Sequence, residues 1–309
     1  MQGHTPVLLE EVLAGLAIRA DGRYCDATFG RGGHTAAMLD GLGPGGRVVA
    51  IDRDAEAIRA GRLRFADEPR LTLMRGSFAR LEELVRAAEV EGELHGVLLD
   101  LGVSSPQLDE ADRGFSFMQD GPLDMRMDNK TGQTAAEWLA RASERELADT
   151  LHRLGEERFA RRIARAIVGA RAEGPIERTG QLAAVIAAAV PTREPGKHPA
   201  TRSFQAIRMR VNAELESLEA ALPQALRLLA PGGRLCVISF HSLEDRMVKR
   251  FIQRETLGDP HYAGLPHVPP HARPRLRKIG GATMPSAAEL ARNPRARSAV
   301  LRVAERLAA

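Results

Sequence analysis

By residue 100 a short β-prone run has given way to a turn four times, at residues 22–28, 47–52, 71–74 and 94–100. The stretches between them, 34–42, 55–64 and 78–90, carry helical apolar spacing. This repeat restricts the fold severely. Strands separated by helices pair in parallel, and a parallel sheet covered on both faces needs strands that are apolar on both sides. Leu94-His-Gly-Val-Leu-Leu-Asp100 has that character at its end. The pattern predicts a doubly wound α/β sheet, preceded by a helix over 7–18.

The rhythm then breaks. From about 108 to 202 no strand is predicted; a Gly/Asp/Met-rich loop over 113–128 is followed by helices over 134–142, 143–153, 156–171 and 179–190. Ser143-Glu-Arg-Glu146 has capping-box spacing. A long helix over 201–229, with Pro223 as its point of interruption, leads to a buried strand at 233–239. A helix over 243–256, a Pro/His-rich loop over 257–285 and a last strand at 299–303 complete the chain. The expected organisation is a sheet domain in two parts, 1–107 and 203–309, interrupted by a helical insertion over 108–202.

Open parallel sheets bind ligands beyond the carboxyl ends of their strands. The first run ends in Asp26-Ala-Thr-Phe-Gly-Arg-Gly-Gly-His34, where Gly30, Gly32 and Gly33 let backbone amides approach a ligand. Asp52 ends the second run, placed to accept from a ribose diol. The glycine spacing is not G-x-G-x-x-G, which disfavours NAD or FAD and with them a nucleotide-dependent oxidoreductase. An acid before the glycines would repel a pyrophosphate and suits a cationic cofactor with an amino-acid tail, such as S-adenosylmethionine. Phe78, after the third run, either packs on an adenine face or opens the core of the next helix.

Asp100-Leu-Gly-Val-Ser-Ser-Pro-Gln107 is the strongest single clue. A carboxylate at the end of a buried strand costs free energy unless it is paired or functional, and the small residues after it leave a slot for a planar group. The bland alternative is a cap on the following turn. Ser239-Phe-His-Ser-Leu-Glu-Asp245 follows the fifth core strand, so His241 either reaches the substrate edge or caps a helix.

A hydrophobic fraction of 44% with 27% charged residues is that of a soluble globular chain. No apolar run reaches the roughly 18 residues that span a bilayer, so no membrane association is expected. The N-terminus lacks the basic flank and apolar stretch of a secretory signal. Cys25 and Cys236, each inside a strand, read as reduced core thiols in a cytoplasmic protein. Net charge is only +4, but its distribution is informative. Arg158, Arg161, Arg162 and Arg165 share one helix, and further basic groups lie at 197–202, Arg208, Arg210 and 273–278, which together predict phosphate contacts. Aromatics at 4% argue against a base-stacking platform. His261, His267 and His271 sit among prolines with no cysteine nearby, and no metal is expected there.

Several motifs together resemble the bacterial 16S ribosomal-RNA (cytosine-N4)-methyltransferases. They are His4-Thr-Pro-Val-Leu-Leu-Glu-Glu11, Asp26–His34, Asp100–Gln107, Arg113-Gly-Phe-Ser-Phe117, Asp120–Asp128, Ser239–Asp245 and Asn293-Pro-Arg-Ala-Arg-Ser298. The resemblance covers nearly the whole chain. It implies a Rossmann-like methyltransferase sheet with an inserted substrate domain, S-adenosylmethionine as methyl donor, and a decoding-region cytosine of 16S rRNA or the small ribosomal subunit as acceptor. Carried over by position, it implies cofactor contacts at Gly32, Gly33, His34, Asp52, Phe78, Asp100 and Gln107, with Asp100 as the catalytic residue. Asp100 would accept from the N4 amine or from the methionyl amine. Amino-methyltransferases often carry Asp/Asn-Pro-Pro-aromatic at this point, whereas Leu-Gly-Val-Ser-Ser-Pro stands here. The base clamp must then come from elsewhere, and Phe115 and Phe117 are the candidates. A non-catalytic RNA-binding assembly factor on the same fold is the rival expectation. Oligomeric state stays open.

Overall fold

The structure is a computed structural model that describes residues 6–90, 92–192, 196, 198–262, 267 and 269–308. His4, Thr5, Lys197 and part of the 257–285 segment, all singled out in the sequence, lie outside the described residues. In chain order the first elements are α1 (Leu9–Leu16), β1 (Arg23–Asp26), α2 (Gly33–Asp40), β2 (Arg47–Asp52), α3 (Ala55–Arg64), β3 (Leu71–Arg75), α4 (Leu81–Ala87) and β4 (Leu94–Asp100). Then come α5 (Ser105–Asp109), α6 (Ala135–Arg141), α7 (Glu144–Gly155), α8 (Ala160–Glu173), α9 (Thr179–Ala189), α10 (Thr201–Asn212) and α11 (Glu214–Leu228). The last are β5 (Leu229–Ser239), α12 (Ser242–Leu257), β6 (Leu276–Thr283), α13 (Ala287–Arg292) and β7 (Val300–Arg306).

Two compact units result. The first comprises Met1–Gly102 and Leu215–Ala309, the second Val103–Glu214. These divisions fall at Gly102 and Glu214 rather than at the expected 107 and 202. Residues 105–109 form a helix of their own, and α10 buries Phe204, Ala206 and Ile207 in the core of the second unit. The expected single helix over 201–229 is two helices. Ala213 adopts left-handed φ 48 and ends α10, while Pro223 lies inside α11 without ending it.

The sheet of the first unit has the order β3-β2-β1-β4-β5-β7-β6. Neighbours β3 through β5 pair in parallel, whereas β7 runs antiparallel to both β5 and β6. The chain steps outward from β1 to β3, then returns with β4 on the other side of β1, so the sheet reverses direction between β1 and β4. A crevice opens at such a reversal, beyond the strand ends. Both faces are covered. Val97, Leu99, Leu235 and Val237 pack with Leu81, Leu218 and Phe251 on one side, and Leu98, Cys236 and Ile238 with Val12, Leu16 and Met38 on the other. This is why the central strands read as continuous apolar runs.

Strand β6 lies in what the sequence presented as a Pro/His-rich loop. Only Leu276 of it is buried; the rest is exposed or half-buried and carries no alternating pattern. Its register against β7 is backed by Arg277, which pairs with Glu305, while Arg275 Nε donates to Glu255 Oε2 over 2.7 Å. The basic stretch 273–278 is thus partly used in ion pairs within its own unit.

The core of the second unit gathers Leu139, Leu147, Leu151, Ile163, Ile167, Leu182, Ile186 and Phe204 from α6 to α10. Ser143 and Glu146 form the predicted capping box at the start of α7, and Thr134 and Glu137 form another at α6. Arg158, Arg161, Arg162 and Arg165 are exposed at and along α8, opposite Ile163 and Ile167. Among the described residues no helix is long and apolar enough to cross a membrane.

Candidate active site

Three aspartates, Asp26, Asp52 and Asp100, end the strands β1, β2 and β4, flanking the point where the sheet reverses. Their backbones are tied together. The N–H of Asp100 donates to Thr28 Oγ1 over 2.7 Å, which fixes the end of β4 against the turn after β1. The N–H of Gly30 donates to Asp52 Oδ2 over 2.7 Å, which fixes the same turn against β2.

Asp26 is buried, with Oδ1 accepting from the N–H of Thr28 at 3.2 Å and Oδ2 accepting from Thr35 Oγ1 at 2.7 Å. Burial raises its pKa, and the His34 imidazole and the Thr35 hydroxyl oppose that rise. Asp26 is fully buried beneath the turn whereas Asp52 is half-buried, so Asp26 offers the crevice its charge rather than a hydrogen bond.

Gly32 occupies the N-cap of α2 at φ 70, and a Cβ there would meet the rings of Phe29 at 2.6 Å and Phe65 at 2.9 Å. The glycine is therefore required by the turn and by close packing, beyond the ligand approach expected from sequence. No side chain caps α2 and its first turn carries no acid, so the backbone N–H groups at that end face no competing anion of their own helix.

Asp52 accepts from the Asp54 N–H at 2.8 Å through Oδ1, as well as from Gly30. Burial pushes its pKa up to about 6; the two N–H donors lower it, and the charges of Asp54 and Asp26 raise it further.

Asp100 differs from the other two. Its Oδ2 lies 3.6 Å from His34 Nδ1, and its Oδ1 is buried without a hydrogen-bond partner. Burial pushes its pKa up to about 6; the His34 imidazole opposes this, and Asp26 and Glu244 add to it. An unpaired buried carboxylate oxygen costs about 1–3 kcal/mol or more, a cost that a donor placed against it removes.

The end of β5 completes this edge. Asp100 pairs in register with Ile238, one residue before Ser239, whose hydroxyl is also buried without a partner. His241 is the N-cap of α12, its Nδ1 accepting from the Glu244 N–H, and Glu244 Oε2 accepts from the Phe240 N–H at 2.9 Å. Of the two roles considered for His241, the cap is the one observed. Its Nε2 lies 3.0 Å from Glu244 Oε1, out of line for a hydrogen bond.

Residues 1–307 match the MraW methylase family. The chain belongs to that family. It is 60% identical over 307 residues to the ribosomal RNA small subunit methyltransferase H of Thioalkalivibrio sulfidiphilus, covering 99% of this chain and 98% of that one. It is 57% identical over 305 residues to the protein of the same name from Chromohalobacter salexigens, covering 98% and 92%. Among solved structures, an rRNA methylase from Streptococcus thermophilus is similar at 12% identity and TM-score 0.44 over 100% of this chain and 99% of that one, too distant to speak for any residue. The fold is the Rossmann-like methyltransferase sheet, and the oxidoreductase expectation is set aside by membership in a methylase family.

For a MraW-family chain the remaining predicted positions divide. His34 and Gly33 begin α2, and Phe78 is half-buried after β3 against the core of Leu81 and Leu84. Gln107 belongs to the second unit, where it is buried and its Oε1 accepts from the Ser104 N–H at 3.0 Å, closing the capping box of α5. Phe115 is buried and cannot clamp a base, and Phe117 is held between His198 and Phe204 at centroid distances of 4.5 and 4.8 Å. Cys25 and Cys236 are buried free thiols, the latter pushed up to about 12 by burial. Sequence reasoning missed Thr28 and Thr35, which hold Asp100 and Asp26. Their hydroxyls beside Asp26 in the glycine turn were the available signal.

Proposed function

We propose that this chain transfers a methyl group to the N4 amine of a cytosine in the decoding region of 16S rRNA, acting in the cytoplasm on the small ribosomal subunit. The coarser part, methylation of small-subunit rRNA, is supported by the names of relatives 57% and 60% identical over nearly the full length. The observation that carries the finer part is the unpaired, buried Oδ1 of Asp100 at the sheet reversal.

When bound, S-adenosylmethionine supplies an electrophilic methyl on a sulfonium. The residues present fit it. Asp52, fixed by the Gly30 and Asp54 N–H groups, is oriented to accept from a ribose diol. Gly32, Gly33 and His34 form the uncapped start of α2, and half-buried Phe78 offers a ring edge or face to a purine. The negative charge of Asp26 favours a cationic ligand without contacting it.

With Asp26 already serving the cationic donor, we assign Asp100 to the acceptor amine. The lone pair of a cytosine N4 is delocalised into the ring, which makes it a poor nucleophile. Asp100 Oδ1, accepting one N4–H, localises that pair and holds it in line for attack. The exposed arginines of α8, Arg161, Arg162 and Arg165, and Arg158 two residues before its start would contact phosphates. Reaching the base requires the cytosine to leave its stack.

The test is incorporation of labelled methyl into small subunits that lack the modification, followed by mapping of the methylated base. Transfer to N4 of one cytosine is expected, and Asp100→Ala should abolish it. An absence of incorporation with intact subunit binding would favour a non-catalytic assembly factor.

A further inference from the structure

We infer that His34 and Asp100 share one proton, and that His34 is the positioning residue that keeps Asp100 ready to take the amine proton released on methyl transfer. This rests on the proposed assignment of Asp100 to the acceptor amine.

The tautomer of His34 is fixed by its surroundings. The ring is buried, and Nε2 lies 3.0 Å from the carbonyl oxygen of Val7. A carbonyl only accepts, so Nε2 carries a hydrogen whether the ring is neutral or charged. The ring nitrogen left free to exchange a proton with Asp100 is Nδ1, which lies 3.6 Å from its Oδ2. A neutral Nδ1 and an ionised carboxylate are both acceptors, and two lone pairs facing each other away from water repel. One proton between them turns repulsion into attraction, as imidazolium with carboxylate or imidazole with carboxylic acid. The other charged groups that bear on the pair are Asp26 at the end of β1 and Glu244 on α12, the latter beside His241. Both carboxylates favour retention of that proton.

Donor placement decides where the proton sits. An amine N–H against the unpaired Oδ1 stabilises the ionised carboxylate and moves the shared proton to Nδ1. On transfer, the N4 lone pair becomes the new N–C bond and the pair of the broken methyl–sulfur bond stays on sulfur. The pair of one N4–H bond remains on nitrogen, and its proton passes to Oδ1. Asp100 thus acts directly on the substrate, and His34 acts through Asp100.

Histidine-selective 15N spectra of the ligand-free full chain, with His34 identified through His34→Gln, test the sharing itself. The expected result is a ring protonated at Nε2 throughout, whose Nδ1 titration moves to lower pH in Asp100→Asn by about tenfold in proton affinity. An Nδ1–H neutral tautomer, or a titration indifferent to Asp100→Asn, would overturn the inference. The pH–rate profile of His34→Gln tests the role. Its acidic limb should move up by about one pH unit, with about a tenfold loss at pH 6 that is largely recovered at pH 8.5. A loss uniform in pH would leave His34 a packing residue only. Should the wild-type chain transfer no methyl to N4, the functional proposal fails while the spectra still report on the pair; the spectra also stand if His34→Gln does not fold, with His34 then identified by substituting the other eight histidines in turn.

Discussion

The backbone N–H of Gly30 donates to Oδ2 of Asp52 across 2.7 Å, so the carboxylate that ends β2 holds the glycine turn after β1 in place. Asp52→Ala removes this bond and the one from the Asp54 N–H together. Each charge-assisted bond is worth about 1.5–3 kcal/mol. We expect S-adenosylhomocysteine affinity to fall by about 100-fold, on the order of the 2.7 kcal/mol that one such bond and a ribose contact supply. Isothermal titration calorimetry checks this. A change below threefold would mean that Asp52 serves the turn and not the ligand.

Binding should also depend on pH in a defined direction. Burial holds Asp52 and Asp100 near pH 6, so both are largely ionised at pH 7.5 and largely protonated at pH 5. A ribose hydroxyl needs the ionised acceptor, and affinity is therefore present above pH 6 and lost as pH falls through it. The dissociation constant of S-adenosylhomocysteine should rise about tenfold between pH 7.5 and pH 5, since one unit below its pKa a group is about nine-tenths protonated. Titrations across that range, in buffers of matched ionic strength, would show a flat profile if Asp52 does not contact the ligand.

Asp100 carries a stability cost in the ligand-free protein. Its folded pKa of about 6 stands above the ordinary carboxylate value, so ionisation opposes folding above that value, and the penalty fades as pH falls from 6 toward 4. At about 1.4 kcal/mol per unit, Asp100→Asn should stabilise the chain by about 1–3 kcal/mol at pH 7.5 and by little at pH 4.5. Methyl transfer should fall at least about 100-fold in the same variant. Thermal unfolding at the two pH values, without ligand, measures the first effect; an unchanged or lower midpoint at pH 7.5 would remove the burial cost from the account.

Sequence made these strand ends legible for a physical reason. A strand buried on both faces is apolar throughout, and an acid at its end stands out, as Asp26, Asp52 and Asp100 do. Strand β6 buries Leu276 alone and offers no such contrast, so its prolines and histidines suggested a loop. The break between α10 and α11 rests on the left-handed backbone of Ala213, a residue type whose propensity favours helix. Gln107 was placed at the cofactor through resemblance, and its cap on Ser104 depends on a helix too short to show a period. Phe115 is a candidate clamp in the sequence because no aromatic follows Asp100, yet its ring is buried in a loop where Arg113 donates to the Met127 carbonyl at 2.9 Å.

The same loop makes a stability prediction for the second unit. Buried Asn212 accepts from the Met127 N–H at 2.8 Å and donates to the Met125 carbonyl at 2.7 Å, and Met125 is held at φ 63. Asn212→Ala strands two buried backbone groups and should cost about 2–4 kcal/mol. Urea unfolding should show the loss, and Asn212→Asp should not relieve it, because a buried carboxylate oxygen would then face the Met125 carbonyl, acceptor against acceptor.

The arginines of α8 offer a test that separates RNA affinity from chemistry. Arg161 and Arg162 are exposed, while Ile163 and Ile167 of the same helix are buried, so changing them alters surface charge without disturbing the core. If both contact phosphates, each releases counterions on binding, and log affinity falls with log salt by about 0.7–0.9 per contact. The double substitution to Ala should weaken binding of a small-subunit rRNA fragment by about 10- to 100-fold at physiological salt and flatten the salt slope by about 1.4–1.8. S-adenosylhomocysteine affinity, a property of the first unit, should not move. Fluorescence anisotropy over a salt series reads both quantities, and weaker binding with an unaltered slope would place the lost contacts on bases or on structure instead of phosphates.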